Sequence, residues 1–445
     1  MNPADLLGTT FDCECGRTHS IPIQAVVYSE MALDQLPVLL ERHCAGPRTN
    51  PGQGRRVILV ADERTYPLAG QACQERLEQA GWRVASFILP EGPHGSPVCD
   101  DITRDALRAK LPPGDCFLAV GSGTVSDLVK WIACDANLPY AMFATAASMN
   151  GYASNNIAPS IRGVKRVLSG TVPGVILADP AIVRQAPFEL TAAGFGDVLA
   201  KPVSMADWKL NQLLFNEYYC PVCAQLIRDL EPGYLVHPEA IRAREPEAIK
   251  TLFQALVYSG VSMTMAGTSF PASGGEHMIS HALDMIAAAK GLKHDYHGRQ
   301  VGLGTIFACA LYERVLALEA PDFHVVLEPT NWAFWTSLTD VVEEEHVHKR
   351  KKAKLAVRQL QQPSMWKRVR ATLAPTLRSA AEIKRCLRSA GAAHRVEDIG
   401  CTRDRFLAAA LNCHQMRERY TIIDLARATG ILPEAAGPII EEYLV

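Results

Sequence analysis

The stretch Cys116–Lys130, CFLAVGSGTVSDLVK, sets the architecture of the first half of the chain. Five apolar residues, Cys116–Val120, read as a buried strand. Gly121-Ser122-Gly123 reads as a tight turn, and Thr124–Ala133 as a helix. The same alternation lies on both sides. Val57–Asp62, Arg83–Leu89 and Ala141–Thr145 are short apolar runs read as strands. Tyr66–Ala80 and Asp101–Lys110 carry helical spacing, the second closed by Pro112-Pro113-Gly114. Strands alternating with helices predict a parallel sheet covered by helices. From about residue 190 the segments lengthen and become Ala- and Leu-rich: Ala248–Ala266, Glu276–Lys290, Gly302–Ala320 and Asn331–Val342. The expected fold is therefore an α/β domain over residues 1–189 and a mainly α-helical domain over 190–445.

At 445 residues the chain is too long for one ordinary core, which also favours two domains. A hydrophobic content of 48% with 21% charged residues is normal for a soluble globular protein. The net charge of −2 supplies no global field toward nucleic acid or an anionic membrane, so neither partner is expected. The start, MNPADLLGTTFDCECG, has no basic segment followed by an apolar run, so no secretory signal is read. The apolar run around GLGTIFACAL is cut by Tyr312-Glu313-Arg314 and is too short to span a bilayer. The 13 cysteines, an odd number irregularly spaced, are read as reduced thiols of a cytoplasmic protein.

Several motifs could carry chemistry. Glycines after a strand let backbone approach a phosphate, and the next helix offers free N–H groups. Gly121 and Gly123 fit that use, but a plain tight turn fits them equally. Asp62 closes the first clear strand. It could accept hydrogen bonds from an adenosine ribose and disfavour a 2′-phosphate, or cap a turn. His277 and His281, in SGGEHMISHALDM, are four apart and share one helix face. With His297 and Asp197 they could hold a divalent cation and leave a position open for substrate. Packed histidines on an Ala-rich helix are the plainer reading. Lys201, four after Asp197, either anchors a phosphate or pairs with an acid. Cys13-x-Cys15 with His19 lacks a fourth ligand nearby and reads as a hairpin with incidental thiols. Cys220-Pro-Val-Cys223 has redox spacing but follows no strand of a thioredoxin-like unit. The run Glu343–Lys354 reads as a solvated helix face, with His346 and His348 solvated on it. Trp332 and Trp335 read as core.

Taken together, GSGTVSD, FATAASMNGYAS, GFGDVLAK with ADWKL, SGGEHMISHALDM and HGRQVGLGT resemble the sn-glycerol-1-phosphate dehydrogenase family. The resemblance is to its bacterial branch, within the iron-containing alcohol dehydrogenase and dehydroquinate synthase-like superfamily. It covers roughly residues 50–310, and FDCECGRTHSIPI resembles the start of bacterial members. It implies a Rossmann-like N-terminal domain, a helical C-terminal domain and a site in the cleft. The implied metal ligands are Asp197, His277 and His297, holding one divalent ion, Zn, Ni or Fe. His281 would lie beside substrate and nicotinamide, as a hydrogen-bonding or proton-relaying group. Asp197 and His281 are thus the expected catalytic residues, both also meeting the substrate. The NAD pyrophosphate is expected at Gly121, Gly123, Thr124, Val125, Ser126 and Asp127. Further nucleotide contacts are expected at Thr145, Ala146, Ser148 and Ser154, with Asp62 on the ribose; NADP is the second choice. Asn150 stands where many members have a substrate-reading aspartate. Asparagine still accepts through its carbonyl but adds donors and carries no charge. Arg162, Lys165 and Arg166 could bind a phosphate, or be ordinary loop charges.

The implied reaction is hydride transfer to or from a metal-bound alkoxide of a small polyol phosphate, with dihydroxyacetone phosphate and sn-glycerol 1-phosphate as the favoured pair. Another hydroxylated substrate and a dehydroquinate-synthase-like lyase are the alternatives; that lyase branch usually has glutamate at the first metal position, where this chain has Asp197. A homodimer acting on a small molecule is expected.

Overall fold

Apolar runs without polar alternation belong to strands buried on both faces. In the computed structural model, which describes residues 3–44, 55–92 and 95–445, those runs become four neighbouring strands of one six-stranded sheet. The strands are β1 (Ala25–Tyr28), β2 (Arg56–Asp62), β3 (Arg83–Leu89), β4 (Cys116–Gly121), β5 (Tyr140–Ala144) and β6 (Val175–Ala178). Their order is β1-β6-β5-β4-β2-β3, and every pairing is parallel. The helices used below are α1 (Ala32–His43), α2 (Gln71–Gln79), α3 (Asp101–Arg108), α4 (Gly123–Ala136), α5 (Phe188–Leu199), α6 (Lys201–Phe215), α7 (Pro246–Ala266), α8 (Gly275–Ala289), α9 (His297–Leu316) and α10 (Thr339–Leu360).

The chain divides into two units, one formed by Met1–Gly194 with Gln225–Thr268, the other by Phe195–Ala224 with Ser269–Val445. In the first unit, Val57, Leu59, Ala61, Cys116, Leu118, Val120, Ala141, Phe143, Val175 and Leu177 point to one face of the sheet. They pack there on Leu36 and Leu40 of α1 and on Cys73 and Leu77 of α2. Each Val, Leu and Phe side chain among them contributes about 1.5–3 kcal/mol by leaving water. The alternate residues, such as Ile58, Phe117 and Met142, are equally buried, and α4 packs against β2, β4 and β5. Double coverage explains the unbroken apolar runs.

The sheet's β1 and β6 were not anticipated. AVVY and VILA are four residues each and stand far apart in sequence, so only the tertiary pairing of β6 with β1 and β5 makes them strands. Tyr66–Ala80 is helical as expected, but opens with a π turn, Tyr66–Gly70, before α2.

The second unit is helical. Gly304 explains how α9 meets α8: a Cβ there would lie 2.5 Å from the Glu276 carbonyl oxygen. Only glycine lets the two backbones approach so closely. The charge run forms part of α10, and one expectation about it is corrected. His346 is buried (2% exposed), its Nδ1 2.6 Å from the Thr330 hydroxyl. Lys349 is buried on Asp424 at 2.7 Å and Lys352 reaches Glu217 at 2.5 Å. His348 is exposed, as expected. Charge type alone did not show which side of α10 turns inward. Trp335 is core, but Trp332, the first residue of the short helix Trp332–Trp335, is 66% exposed.

Candidate metal and nucleotide sites

The histidine cluster is built by glycines. A Cβ on Gly196 would fall 2.2 Å from the Gly298 carbonyl oxygen, and Gly302 lies 3.5 Å from the same position. The backbone ahead of Asp197 therefore rests directly on the first turn of α9, whose first residue is His297. Asp197 is 1% exposed. Its Oδ1 lies 2.7 Å from Lys201 Nζ and 3.6 Å from His277 Nε2. Burial alone would raise this carboxyl's pKa. Lys201, His277 and His297 overcome that and hold it well below the usual carboxylate range. Lys201 also donates to the Ala272 carbonyl. The lysine therefore pairs with an acid, and that acid is Asp197 itself.

His277 is 4% exposed and its Nδ1–H donates to Glu276 Oε1 at 2.7 Å. Nε2, the ring's other nitrogen, faces Asp197. Glu276 is fully buried and its Oε1 also accepts the Gly274 N–H at 2.8 Å. His297 has the same arrangement. Its Nδ1 is 3.0 Å from Ser280 Oγ, whose proton goes to Gln300 Oε1 at 2.9 Å. Nδ1–H of His297 thus donates to Ser280, leaving Nε2 of the neutral ring with the lone pair. His281 is 5% exposed; its ring stacks on His297 at 5.3 Å between centroids and lies 6.2 Å from that of His277.

Asp197 Oδ1 and His277 Nε2, with the His297 ring 5.1 Å from that of His277, offer the donor types that a divalent cation takes. The separation of 3.6 Å matches the roughly 3.4 Å edge expected between oxygen and nitrogen ligands of a tetrahedral ion. The carboxylate and hydroxyl behind the rings are the outer partners that such ligands require. Beneath them, Asp207 Oδ2 caps the start of α8 through Gly275 N–H at 2.7 Å, and its Oδ1 accepts from Tyr312 at 2.6 Å. Burial, then the charge of Glu276, push the Asp207 carboxyl up to about 8.

Sequence reasoning missed Glu276 and Ser280. Glu276 adjoins His277, and neighbours in sequence do not share a helix face, so helical spacing hides the pair. Ser280 is three after His277, but its partner ring comes from α9. Its signal was only a small polar residue on the histidine face.

The nucleotide candidates lie in the first unit at the C-terminal ends of β2, β4 and β5. Gly121 ends β4, and a Cβ there would meet Val125 Cγ2 at 2.8 Å. Thr145 N–H donates to the Gly121 carbonyl at 2.9 Å, which sets the ends of β4 and β5 side by side. Gly123 and Thr124 at the start of α4 are partly accessible, whereas Val125 and Ser126 are buried. Val125 can offer a ligand only its backbone N–H, and the Ser126 N–H already donates to the Ser122 carbonyl at 3.0 Å. Asp127 is occupied: Oδ1 takes Lys130 Nζ at 3.3 Å and Oδ2 the Ala158 N–H at 3.1 Å. Lys130, fully buried, also donates to the carbonyls of Gly151 and Asn156 at 2.7 and 2.9 Å. Burial lowers its pKa and Asp127 raises it, with a net lowering.

Asp62 Oδ1 accepts the N–H groups of Arg64 and Thr65 at 2.9 and 2.8 Å. The Thr65 hydroxyl donates to the Val120 carbonyl at 2.9 Å, tying this turn to β4. Ala146, Ser148 and Ser154 are buried, Ser148 against the Tyr152 hydroxyl at 3.1 Å. Asn150 begins the 3-10 turn Asn150–Ala153. Arg162 is exposed at φ +50°, and Lys165 and Arg166 are partly exposed. No helix among the described residues is long and apolar enough to cross a membrane.

Comparison with known proteins gives concordant results. The model of the iron-containing alcohol dehydrogenase family matches residues 39–187. The chain is similar to a glycerol-1-phosphate dehydrogenase [NAD(P)+] of Halalkalibacterium halodurans, 30% identical over 93% of this chain and 94% of the relative. It is similar to the protein of that name from Bacillus subtilis, 31% identical over 67% of this chain and 74% of the relative. In fold it resembles the crystal structure of glycerol dehydrogenase from Schizosaccharomyces pombe, with a TM-score of 0.62, 15% identity and coverage of 94% of this chain and 91% of that one.

Proposed function

Since the chain belongs to the glycerol-1-phosphate dehydrogenases of the iron-containing alcohol dehydrogenase family, we propose that it moves a hydride reversibly between NAD(P) and a small polyol phosphate, with dihydroxyacetone phosphate and sn-glycerol 1-phosphate as the pair. The observation that carries this reading is the buried group of Asp197, His277 and His297, each with its outer edge already satisfied. A divalent cation bound there would polarise the substrate's oxygen, and a nicotinamide would accept or supply the hydride.

The chain's residues do the rest. Asp197, His277 and His297 hold the cation, which is zinc, nickel or ferrous iron by ligand chemistry. Lys201 keeps Asp197 ionised. His281 gives or takes the proton at the substrate hydroxyl, a role for which its stack on His297 holds it still. Gly121–Val125 receive the pyrophosphate through backbone N–H groups at the start of α4, and Asp62 reads the ribose with its second oxygen. Asn150 meets a substrate hydroxyl as acceptor or donor.

The test is NADH and NADPH oxidation with dihydroxyacetone phosphate, after loading with Zn, Ni or Fe. Metal-dependent turnover is expected, with net accumulation of oxidised cofactor. His281→Asn should keep the metal and lose about 10²–10⁴-fold in kcat. No turnover of this substrate with any of the three metals overturns the substrate assignment.

A further inference from the structure

The N-terminal hairpin holds a second group of metal-ligating side chains. Thr10–Asp12 pairs antiparallel with Thr18–Ser20, with Phe11 opposite His19. Between them Cys13 N–H donates to the Arg17 carbonyl at 3.0 Å, and the Cys13 carbonyl accepts the Gly16 N–H at 2.9 Å. Gly16, at φ +80°, permits this turn. The turn brings the Cys13 and Cys15 thiols and the His19 ring together, with ligand atoms within 4.8 Å of one another.

The histidine is prepared as a ligand. His19 is 1% exposed, and its Nδ1–H donates to the Met265 carbonyl of α7 at 2.7 Å. That bond fixes the tautomer and aims Nε2 at Cys15 Sγ, 3.4 Å away. In a tetrahedral zinc site with Zn–S about 2.3 Å and Zn–N about 2.0 Å, the sulfur–nitrogen edge is about 3.5 Å. The spacing is that of two corners of such a site.

We propose that Cys13, Cys15 and His19 hold a zinc ion that clips the N-terminal hairpin in place, separate from the Asp197, His277 and His297 group. Two thiolates and an imidazole select zinc over magnesium or calcium, which take oxygen ligands. The sequence argument against a site here was the missing fourth ligand nearby in the chain. A tetrahedral ion does not require its fourth donor to be near in sequence, and a water can also supply it.

The experiment uses the full-length protein carrying His277→Ala and His297→Ala, so that zinc at the histidine group is removed. X-ray absorption at the zinc edge is expected to show bound zinc with at least two sulfur neighbours. Three sulfurs would identify a further cysteine as the fourth ligand; two would identify solvent. Both support the proposal. Adding Cys13→Ser and Cys15→Ser should abolish this zinc. Should that variant fail to fold, alkylation of the wild-type protein decides. Zinc should slow modification at Cys13 and Cys15 on the order of tenfold, because bound thiolates are poor nucleophiles. A zinc shell without sulfur, or alkylation of both thiols unaffected by zinc, overturns the proposal.

Discussion

Glu276 shows how much of the candidate metal site rests on residues that would not touch a metal. Its carboxylate fixes the His277 tautomer and braces the turn before α8. Glu276→Ala should weaken metal binding about 10–100-fold while leaving the three ligands in place, read by competition with a chromophoric chelator. Lys201 plays a different part. Without metal, its ammonium pairs with buried Asp197 at 2.7 Å. Lys201→Met should therefore destabilise the metal-free protein by about 3–5 kcal/mol, the cost of leaving a buried charge uncompensated. Metal should restore much of that loss, because the cation then balances Asp197. Urea unfolding with and without metal checks both. The gathering of Asp197, His277, His281 and His297 was legible because motifs keep residue types in order. Their outer partners were not, because a hydrogen bond to the far side of an imidazole leaves no periodic trace.

Among the elements, α5 approaches α9 with no room for a side chain. Gly196→Ala would place a methyl 2.2 Å from the Gly298 carbonyl oxygen. The helices must part, taking Asp197 away from His297. Loss of bound metal is expected, with destabilisation of about 1–3 kcal/mol from overpacking; metal analysis beside a thermal melt measures the two effects. In α10 the buried face sets a pH response. Burial first, then Arg350, lower His346 from 6.5 to about 4. The folded chain thus refuses a proton that the unfolded chain accepts between those values. Stability from this group is full above pH 6.5 and declines as the pH falls toward 4, by up to about 1.4 kcal/mol per pH unit. His346→Gln should flatten that acid limb in urea midpoints taken from pH 7 to pH 5. Reading α10 as a solvated face failed because a lysine paired with a buried aspartate has the same sequence signature as a lysine in water. The strands succeeded where runs were long and apolar, and β1 and β6 escaped because four residues carry too little pattern.

For the whole molecule, the two kinds of site predict two kinds of ligand response. Binding to the folded chain alone stabilises it by about 2.7 kcal/mol at one hundred times the dissociation constant. A chelator should lower the melting temperature of the wild type, and zinc or nickel should restore it. In His277→Ala with His297→Ala the nickel response should vanish, while NADH still raises the melting temperature through the first unit. Retention of the nickel response in that variant would place the ion elsewhere. The overall α/β and helical division was legible at this scale because it depends on the period of apolar residues, which averages over many positions.

A redesign of coenzyme preference would naturally begin at Asp62, the acidic residue that ends β2. Its Oδ1 already holds the N–H groups of Arg64 and Thr65. Exchange for glycine or alanine, meant to admit a 2′-phosphate, would therefore also unhook the turn that leads into α2. Asparagine keeps the acceptor and drops the charge, so on the proposed ribose role Asp62→Asn should raise the use of NADPH without loosening the hinge.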